Sequence, residues 1–547
     1  MTEMSSVRQI IITGLMASAG LVAAQMPTAQ PKLVVGIVVD QMAYEFLYRY
    51  MPLYGDSGFR RLVGEGYSCE NTHFNYIPTY TGPGHASIYT GSVPALNGIV
   101  SNDWYNEYSG GYVYVTDDTT VHMVGGNGIG SKMSPRNMVA TTITDMLQMS
   151  NQSASKVIGI ALKDRGAILP AGHMADGAYW YDGLSNAWVT SSYYMQQLPE
   201  WVTAFNKEER AQKMMNRNWE LLLPAAQYKD GATADSVSWE TVYTGEPNSA
   251  FPHYMHFNGS SESIKGTPFG NTLTAQFAMA AVKAESLGAD AITDFLCVSF
   301  SSTDYVGHAF GPHSMEVMDT YLRLDRDLGD LLNYLDTQVG KGNYLLFLTA
   351  DHGVSPTPQY MQTLRVPAGT TTEQSMLEHM RKMMADAWGE KEWIRAYTNQ
   401  QIYLNDDLLA ATGKTIRDAY QVLYPELIQL PGVSYVLEVN ALAASTLPEQ
   451  ARELVINGVY PKRSGDIQVL YDPYWFEAYR PSGTTHGSHF SYDTHVPLIF
   501  FGWKVKHGAL HRNVKIADIA PTVADMLRIS EPNACIGTVI PEVAGVR

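Results

Sequence analysis

The sequence predicts an α/β fold, a three-layer sandwich with a mainly parallel central sheet. The chain has 547 residues, of which 45% are hydrophobic and 17% charged, as in a globular protein with a large core. Short runs of β-branched residues alternate along it with segments whose apolar residues are spaced by three and four. This alternation is typical of a parallel sheet covered by helices, which binds ligands beyond the carboxyl ends of its strands.

The β-branched runs, each followed by polar residues or glycine, predict five buried strands. These runs are Leu33–Val39, Val157–Ala161, 295–300, Tyr344–Thr349 and 496–501. Helices are predicted over 275–286 and over Met315–Leu335. The leucines of the second helix form a stripe that we expect to lie in the core: Leu322, Leu328, Leu331, Leu332 and Leu335.

Three segments depart from this alternation. Residues 178–251, rich in Trp and Tyr, and residues 356–479, which mix helical, strand-like and loop patterns, are predicted insertions that cover the active site. The apolar stretch 10–24 (IIITGLMASAGLVAA) predicts a signal peptide over residues 1–24, with an uncleaved anchor as the alternative. A cleaved signal implies a periplasmic or secreted protein.

Charge and cysteine content exclude several classes of protein. The formal net charge of -17 argues against nucleic acid as the main partner, because phosphate backbones need a basic surface. No later run approaches the ~20 apolar residues of a stable membrane span. The three cysteines, Cys69, Cys297 and Cys535, lack CxxC spacing and allow at most one disulfide. The oligomeric state is left open, with a monomer favoured.

Candidate metal ligands cluster where predicted strands end. Asp40 follows one strand directly, and Asp304 and His308 come four residues apart after another. The complete set of Asp and His residues is Asp40, Asp304, His308, Asp351, His352 and His486. This mixture of oxygen and nitrogen donors suits two Zn²⁺ ions with open coordination positions. The structural alternative is that the acids cap helices and that the histidines make ordinary hydrogen bonds.

A nucleophile is indicated by a turn-rich motif between these ligands. The run Thr81-Gly-Pro-Gly-His leads into a helical pattern at 86–89. Together with Asp304-x3-His308-x2-Gly-Pro, Asp351-His-Gly and Thr485-His-Gly, it resembles the alkaline phosphatase superfamily over residues 32 to 505. The resemblance implies that Thr81 is the nucleophile and a ligand of the first zinc. It assigns Asp40, Asp351 and His352 to that ion, and Asp304, His308 and His486 to the second.

At three further positions the sequence resembles the PafA-like bacterial phosphate monoesterases of this superfamily. Asn102, Lys163 and Arg165 match the residues that contact the nonbridging phosphoryl oxygens in that subgroup. Two cations and an amide suit a monoester dianion, which has three terminal oxygens. The alternative for the Lys163-Asp164-Arg165 run is a solvated turn.

The expected function is therefore zinc-dependent hydrolysis of small phosphate monoesters through a phospho-threonine intermediate, as in an alkaline phosphatase. One alternative is a nucleotide pyrophosphatase or phosphodiesterase with the same metals, favoured if Lys163 or Arg165 points away from the pocket. A second alternative is a non-catalytic, metal-containing binding protein of the cell envelope. The intact nucleophile and six ligands count against it.

Overall fold

A ten-stranded mixed sheet crosses the centre of the molecule in a computed structural model that describes residues 30–126, 132–255 and 261–545. Its strands are β1 (Leu33–Val39), β2 (Tyr67–Cys69), β3 (Met123–Val124), β4 (Val157–Ala161), β5 (Gly177–Asp182), β6 (Ala187–Ser191), β7 (Asp294–Phe300), β8 (Tyr344–Thr349), β9 (Leu498–Gly502) and β10 (Gly508–Leu510). Across the sheet they follow the order β10, β2, β9, β8, β1, β7, β4, β5, β6, β3.

The middle of the sheet is parallel. β1 pairs in parallel with both β7 and β8, and β4 joins β7 to β5 in the same direction. β9 and β6 run antiparallel to β8 and β5. All seven residues of β1 are buried, as expected for a strand covered on both faces. The carboxyl ends of β1, β7 and β8 therefore meet at one edge of the sheet.

Helices pack around this sheet. Five of them position the site or the core: α1 (Thr81–Thr90), α2 (Asp164–Ala171), α3 (Pro268–Ala284), α4 (Ser302–Phe310) and α5 (Met315–Leu335). The other α-helices of the described residues outside the second insertion are Tyr44–Arg49, Phe59–Glu65, Pro94–Asn97, Ile143–Ser150, Glu200–Lys207, Arg210–Met215, Ser491–Thr494, Ile519–Leu527 and Pro541–Ala544, and the second insertion itself begins with the helix Pro358–Thr363. The leucine stripe predicted for α5 is buried in the main core, as expected.

The second predicted insertion, 356–479, contains a small lobe with its own core. An antiparallel sheet orders its strands as Ile394–Thr398, Gln401–Leu404, Ile467–Tyr471 and Val433–Glu438. Apolar side chains of this sheet form a separate cluster with methionines of the Glu373–Trp388 helix, such as Met380 and Met384. The lobe's other helices are Asp406–Ala411, Ile416–Leu427 and Glu449–Gly458.

The first predicted insertion, 178–251, starts too early. Its first residues form β5 and β6, which belong to the central sheet. Three of the Trp and Tyr residues that mark this segment, Tyr179, Trp180 and Trp188, are buried strand residues. Bulky aromatic side chains favour strands as much as they favour irregular packing, and this explains the error. Coverage of the active site by either insertion stays a prediction.

The proposed signal peptide, residues 1–24, lies outside the described residues. Within the described ranges, no helix is long and apolar enough to cross a membrane. All three cysteines carry free thiols, and Cys69 and Cys297 are buried.

Candidate active site

The candidate site lies at the carboxyl edge of the parallel strands. Asp40 directly follows β1, Asp351 comes two residues after β8, and α4 follows β7 and carries Asp304 and His308. Because β1 lies between β7 and β8 in the sheet, these side chains emerge side by side. His486 reaches the same place from the loop that precedes β9. All six predicted ligands are thus brought together.

Thr81 is the first residue of α1, and its side chain is buried. The helix can approach the end of β8 because residue 84 is glycine: a Cβ atom there would lie 2.2 Å from the carbonyl oxygen of Asp351. The Thr81 hydroxyl lies 3.5 Å from His352 Nε2 and 3.4 Å from Lys163 Nζ. The glycines of the motif therefore place the candidate nucleophile against the ligand cluster.

One group of ligands surrounds Asp304. Its Oδ1 lies 3.1 Å from His308 Nε2 and 3.6 Å from His486 Nε2. The three donor atoms lie within 4.8 Å of one another, close enough to hold one metal ion. This is the set that the family resemblance assigns to the second zinc.

A second group lies around His352. Its Nε2 is 3.5 Å from Asp40 Oδ1 and 3.6 Å from Asp351 Oδ2. Donor atoms of Asp40, Asp304 and His352 also lie within 4.8 Å of one another, so Asp304 sits between the two groups. The His352 and His486 rings stack at a centroid distance of 3.5 Å, which brings the two groups into direct contact.

The histidines present the same ring nitrogen to the site. Nδ1 of His308 hydrogen bonds to the carbonyl of Thr484 at 2.8 Å, and Nδ1 of His486 to that of Thr79 at 2.7 Å. Nδ1 of His352 lies 2.9 Å from the carbonyl of Gly353. A carbonyl can only accept, so Nδ1 carries the proton and Nε2 is left as a lone-pair donor. This arrangement is usual for histidines that bind metals.

The buried carboxylates need a positive partner. Burial raises the pKa of Asp40 to about 6, against the opposing effect of Lys163. Burial and the charge of Asp40 hold the pKa of Asp351 well above its usual range. One oxygen of each, Asp40 Oδ1 and Asp351 Oδ2, is buried without a hydrogen-bond partner. Two such orphaned carboxylate oxygens beside neutral imidazoles are the donor set that a divalent ion fits.

Lys163 crosses the site between the two groups. Its Nζ donates to Asp40 Oδ2 and to Asp304 Oδ2, each at 2.6 Å. Burial alone would lower its pKa, but the charges of Asp304 and Asp40 hold the pKa above the usual value. With an ordinary pKa already near 10.5, the ammonium group is a fixed positive charge beside Thr81. Lys163 is therefore not the solvated turn residue of the alternative interpretation.

Arg165 and Asn102 are the remaining two predicted phosphoryl contacts. Arg165 is the second residue of α2, and its Nη1 donates to the hydroxyl of Tyr114 at 2.9 Å. The Nε group of Arg165 is buried and has no hydrogen-bond partner. Asn102 accepts from the backbone N–H of Gly82 at 2.8 Å, which leaves its amide donors for another group. All ten predicted site residues thus lie in one region.

Sequence reasoning missed two residues that hold the ligands in place. The side chain of Gln41 donates to Asp304 Oδ1 at 2.6 Å, and its backbone N–H donates to Asp351 Oδ1 at 3.1 Å. His85 is fully buried and bonds to the Thr81 carbonyl and to Ser299, both at 2.9 Å. Their positions next to Asp40 and inside the Thr81 motif were the available signals.

Comparison with protein families identifies the group to which the chain belongs. A family model described as type I phosphodiesterase / nucleotide pyrophosphatase matches residues 34–493. The chain belongs to this family. The matched range extends from β1 to just beyond His486 and so includes every predicted site residue.

Individual relatives show which named proteins the chain is similar to in sequence over nearly its whole length. The alkaline phosphatase PafA of Elizabethkingia meningoseptica is 44% identical over 541 residues, which cover 98% of each chain. The alkaline phosphatase PhoV of Synechococcus elongatus is 43% identical and covers 94% of this chain and 93% of its own. A Myroides odoratus protein that carries the name calcium-transporting ATPase is 45% identical, with 94% of each chain covered.

A solved structure agrees with the sequence relatives. The crystal structure of wild-type PafA matches with a TM-score of 0.92 and 44% identity, over 95% of this chain and 100% of that one. The chain is therefore a PafA-like member of the alkaline phosphatase superfamily, and the predicted fold class is confirmed.

Proposed function

We propose that this protein hydrolyses phosphate monoesters through a phospho-threonine intermediate on Thr81 and releases inorganic phosphate. The observation that carries the proposal is the position of Lys163, whose ammonium group lies 3.4 Å from the Thr81 hydroxyl while it bonds to Asp40 and Asp304. A cation fixed beside the nucleophile matches the dianionic charge of a monoester.

The proposed metal ligands are Asp40, Asp351 and His352, with Thr81, for one zinc ion, and Asp304, His308 and His486 for the other. Bound zinc would supply positive charge that favours ionised hydroxyl groups and stabilises a leaving oxygen. The orphaned oxygens of Asp40 and Asp351 support the first set. The three donor atoms within 4.8 Å of one another support the second.

The remaining residues orient the phosphoryl group. Lys163, Arg165 and the amide of Asn102 supply donors for its three nonbridging oxygens. In the first step, the Thr81 oxygen forms a bond to phosphorus while the ester P–O bond breaks and the leaving alcohol gains a proton. Water then cleaves the phospho-threonine, which returns the hydroxyl and releases phosphate. Both steps place charge on the oxygens that face Lys163 and Arg165.

A phosphodiesterase is the second candidate, and the description of the family model favours it. A diester carries a second substituent on one of the oxygens that the three donors would otherwise contact. Lys163 points towards Thr81 rather than away from it. The positive charge of Arg165 is felt in the same region, because it lowers the pKa of Asp40. Burial has the larger effect, so the pKa of Asp40 is raised overall.

The two candidates are separated by rates on p-nitrophenyl phosphate and on bis-p-nitrophenyl phosphate, measured with zinc for wild type, Thr81→Ala and Lys163→Ala. We expect the wild type to prefer the monoester, Thr81→Ala to lose turnover, and Lys163→Ala to lose roughly 10²-fold to 10³-fold on the monoester. The loss on the diester should be smaller, because the diester is a monoanion.

Lys156→Ala is the matched control, because Lys156 is an exposed lysine outside the site whose ammonium group pairs with Glu285. It should retain wild-type rates on both esters. A wild-type preference for the diester would refute the monoesterase proposal. Absence of turnover on both esters would favour a binding protein.

We also propose export to the periplasm or the medium after removal of residues 1–24. The apolar stretch 10–24 supports this proposal. Mass spectrometry of the protein isolated from its native host tests it, with a mature chain that begins at Gln25 as the expected result. An intact N-terminus would contradict cleavage.

A further inference from the structure

A cavity of about 190 Å³ opens beside His308, at the edge of the candidate site. Its wall is formed by the segment that links the second insertion to the His486 loop. The lining side chains that matter here are those of His308, Phe476, Tyr479, Arg480 and Thr485. Nothing in the proposed chemistry of phosphoryl transfer requires the aromatic and cationic groups of this cavity.

Tyr479 and Arg480 form the exposed part of the wall of this cavity. Tyr479 is 78% exposed, and Arg480 is exposed as well. In the described part of the chain, no carboxylate pairs with Arg480 and no acceptor bonds to it. Arg480 lines the cavity beside His308, so its unpaired guanidinium is available there for an anion.

The position of Thr81 indicates which part of a bound substrate would face this cavity. Thr81 Oγ1 lies beside His352 Nε2, at 3.5 Å, in the group that contains Asp40. Phosphoryl transfer is close to in line, so the leaving oxygen lies on the opposite side of phosphorus from Thr81. The His308 group occupies the other side of the site, and the leaving group therefore extends towards the His308 cavity.

The segment that carries these residues is held firmly against His308. The backbone N–H of Thr484 donates to the His308 carbonyl at 3.1 Å, and His308 Nδ1 donates back to the Thr484 carbonyl at 2.8 Å. Only glycine fits at position 483, since a Cβ atom there would lie 1.9 Å from the His308 carbonyl oxygen. Arg480 therefore lies three residues before a glycine that packs directly against His308.

We propose that Tyr479 and Arg480 form a leaving-group subsite that selects monoesters whose alcohol carries a second anionic group, a carboxylate or another phosphate. This inference rests on the monoesterase function proposed above and adds its substrate class. The planar guanidinium pairs with the second anion, and the Tyr479 ring covers the carbon skeleton between the two charged groups. Both are specificity-determining residues.

The test compares 4-carboxyphenyl phosphate with phenyl phosphate, two aryl monoesters that differ by one carboxylate. The measured quantity is the ratio of their kcat/KM values, taken on one preparation so that a partly unfolded fraction cancels. We expect Arg480→Ala to lower this ratio roughly threefold to fivefold, as for an exposed ion pair. Arg480→Lys should lower it less, and added salt should lower it in the wild type.

Arg326→Ala provides the matched control, because Arg326 is an exposed arginine on α5. It should leave the ratio at the wild-type value. A wild-type ratio in Arg480→Ala, or an equal fall in Arg326→Ala, would overturn the subsite. The first result would mean that Arg480 does not contact the leaving group, and the second that only net charge matters.

The role of the aromatic ring is tested with phenyl phosphate and methyl phosphate. Tyr479→Ala should lower the ratio of their kcat/KM values about threefold, whereas Tyr479→Phe should retain it. Equal ratios in all three proteins would exclude a contact with the ring. A wild type that hydrolyses none of these esters would instead refute the proposed function, and the subsite with it.

Discussion

Substitution of Gly84 by alanine should separate the nucleophile from its ligands without removal of any catalytic group. The new Cβ atom would lie 2.2 Å from the carbonyl oxygen and 2.7 Å from the Cβ of Asp351. A carbon–oxygen contact needs about 3.3 Å, so α1 and the end of β8 must move apart by about 1 Å. Both neighbouring atoms belong to buried structure that cannot rotate away. Misplacement by about 1 Å reduces a rate roughly 10²-fold, and overpacking destabilises by about 1–3 kcal/mol.

The assay measures kcat on p-nitrophenyl phosphate together with the midpoint of thermal unfolding. Gly64→Ala is the control, because Gly64 lies in the Phe59–Glu65 helix and a Cβ built there meets no described atom within 4 Å apart from its chain neighbours and the backbone of its own helix. Alanine should stabilise that helix by about 0.5–1 kcal/mol and leave kcat at the wild-type value. A Gly84→Ala protein with wild-type kcat would refute the argument that this glycine sets the distance between Thr81 and the ligands.

Three further predictions follow from the same contacts. Gln41→Ala removes the donor to Asp304 and should weaken zinc retention about 10-fold to 100-fold, measured by competition with a chromogenic chelator. Chelation of all divalent ions should lower the midpoint of thermal unfolding, because Asp40 and Asp351 each bury a carboxylate oxygen without a hydrogen-bond partner. Added zinc should restore the midpoint. Burial raises the pKa of Glu477 from an ordinary 4.5 to about 7, so wild-type stability should fall between pH 4.5 and pH 7 by roughly 3 kcal/mol. Urea unfolding of Glu477→Gln across that range should lack this fall, and parallel pH profiles of the two proteins would contradict it.

The parallel core of the fold was predictable because fully buried strands leave a clear signal. The runs Leu33–Val39, Val157–Ala161 and Tyr344–Thr349 were predicted with the bounds that the structure has. Continuous apolar residues flanked by polar ones have few other interpretations at this length. The edge strands were less clear. β5 and β6 carry Trp and Tyr that pack equally well in strands and in loops, and only the pairing with β4 decides between them.

The sequence indicated which residues form the candidate site, but not which of their side chains contact one another. Strand ends place Asp40 and Asp351 at one edge, and this part needs only the alternation pattern and the rule for parallel sheets. The contacts of Gln41 with both Asp304 and Asp351 depend on side-chain positions from chain segments more than 250 residues apart. The same holds for Arg480, whose place in the cavity wall beside His308 is a property of the folded chain and cannot be seen in the sequence.

Charge balance offers an independent reason why this site should prefer a dianion when metal is bound. With metal bound and all three carboxyl groups ionised, Asp40, Asp304 and Asp351 carry -3 and the adjoining Lys163 and Arg165 carry +2, so these side chains sum to about -1. Two divalent ions would change that sum to about +3. A monoester dianion neutralises more of this charge than a diester monoanion does, in a buried place where each charge matters more than in water. Lys163→Ala removes one positive charge and should therefore shift the preference towards the diester, not merely lower both rates.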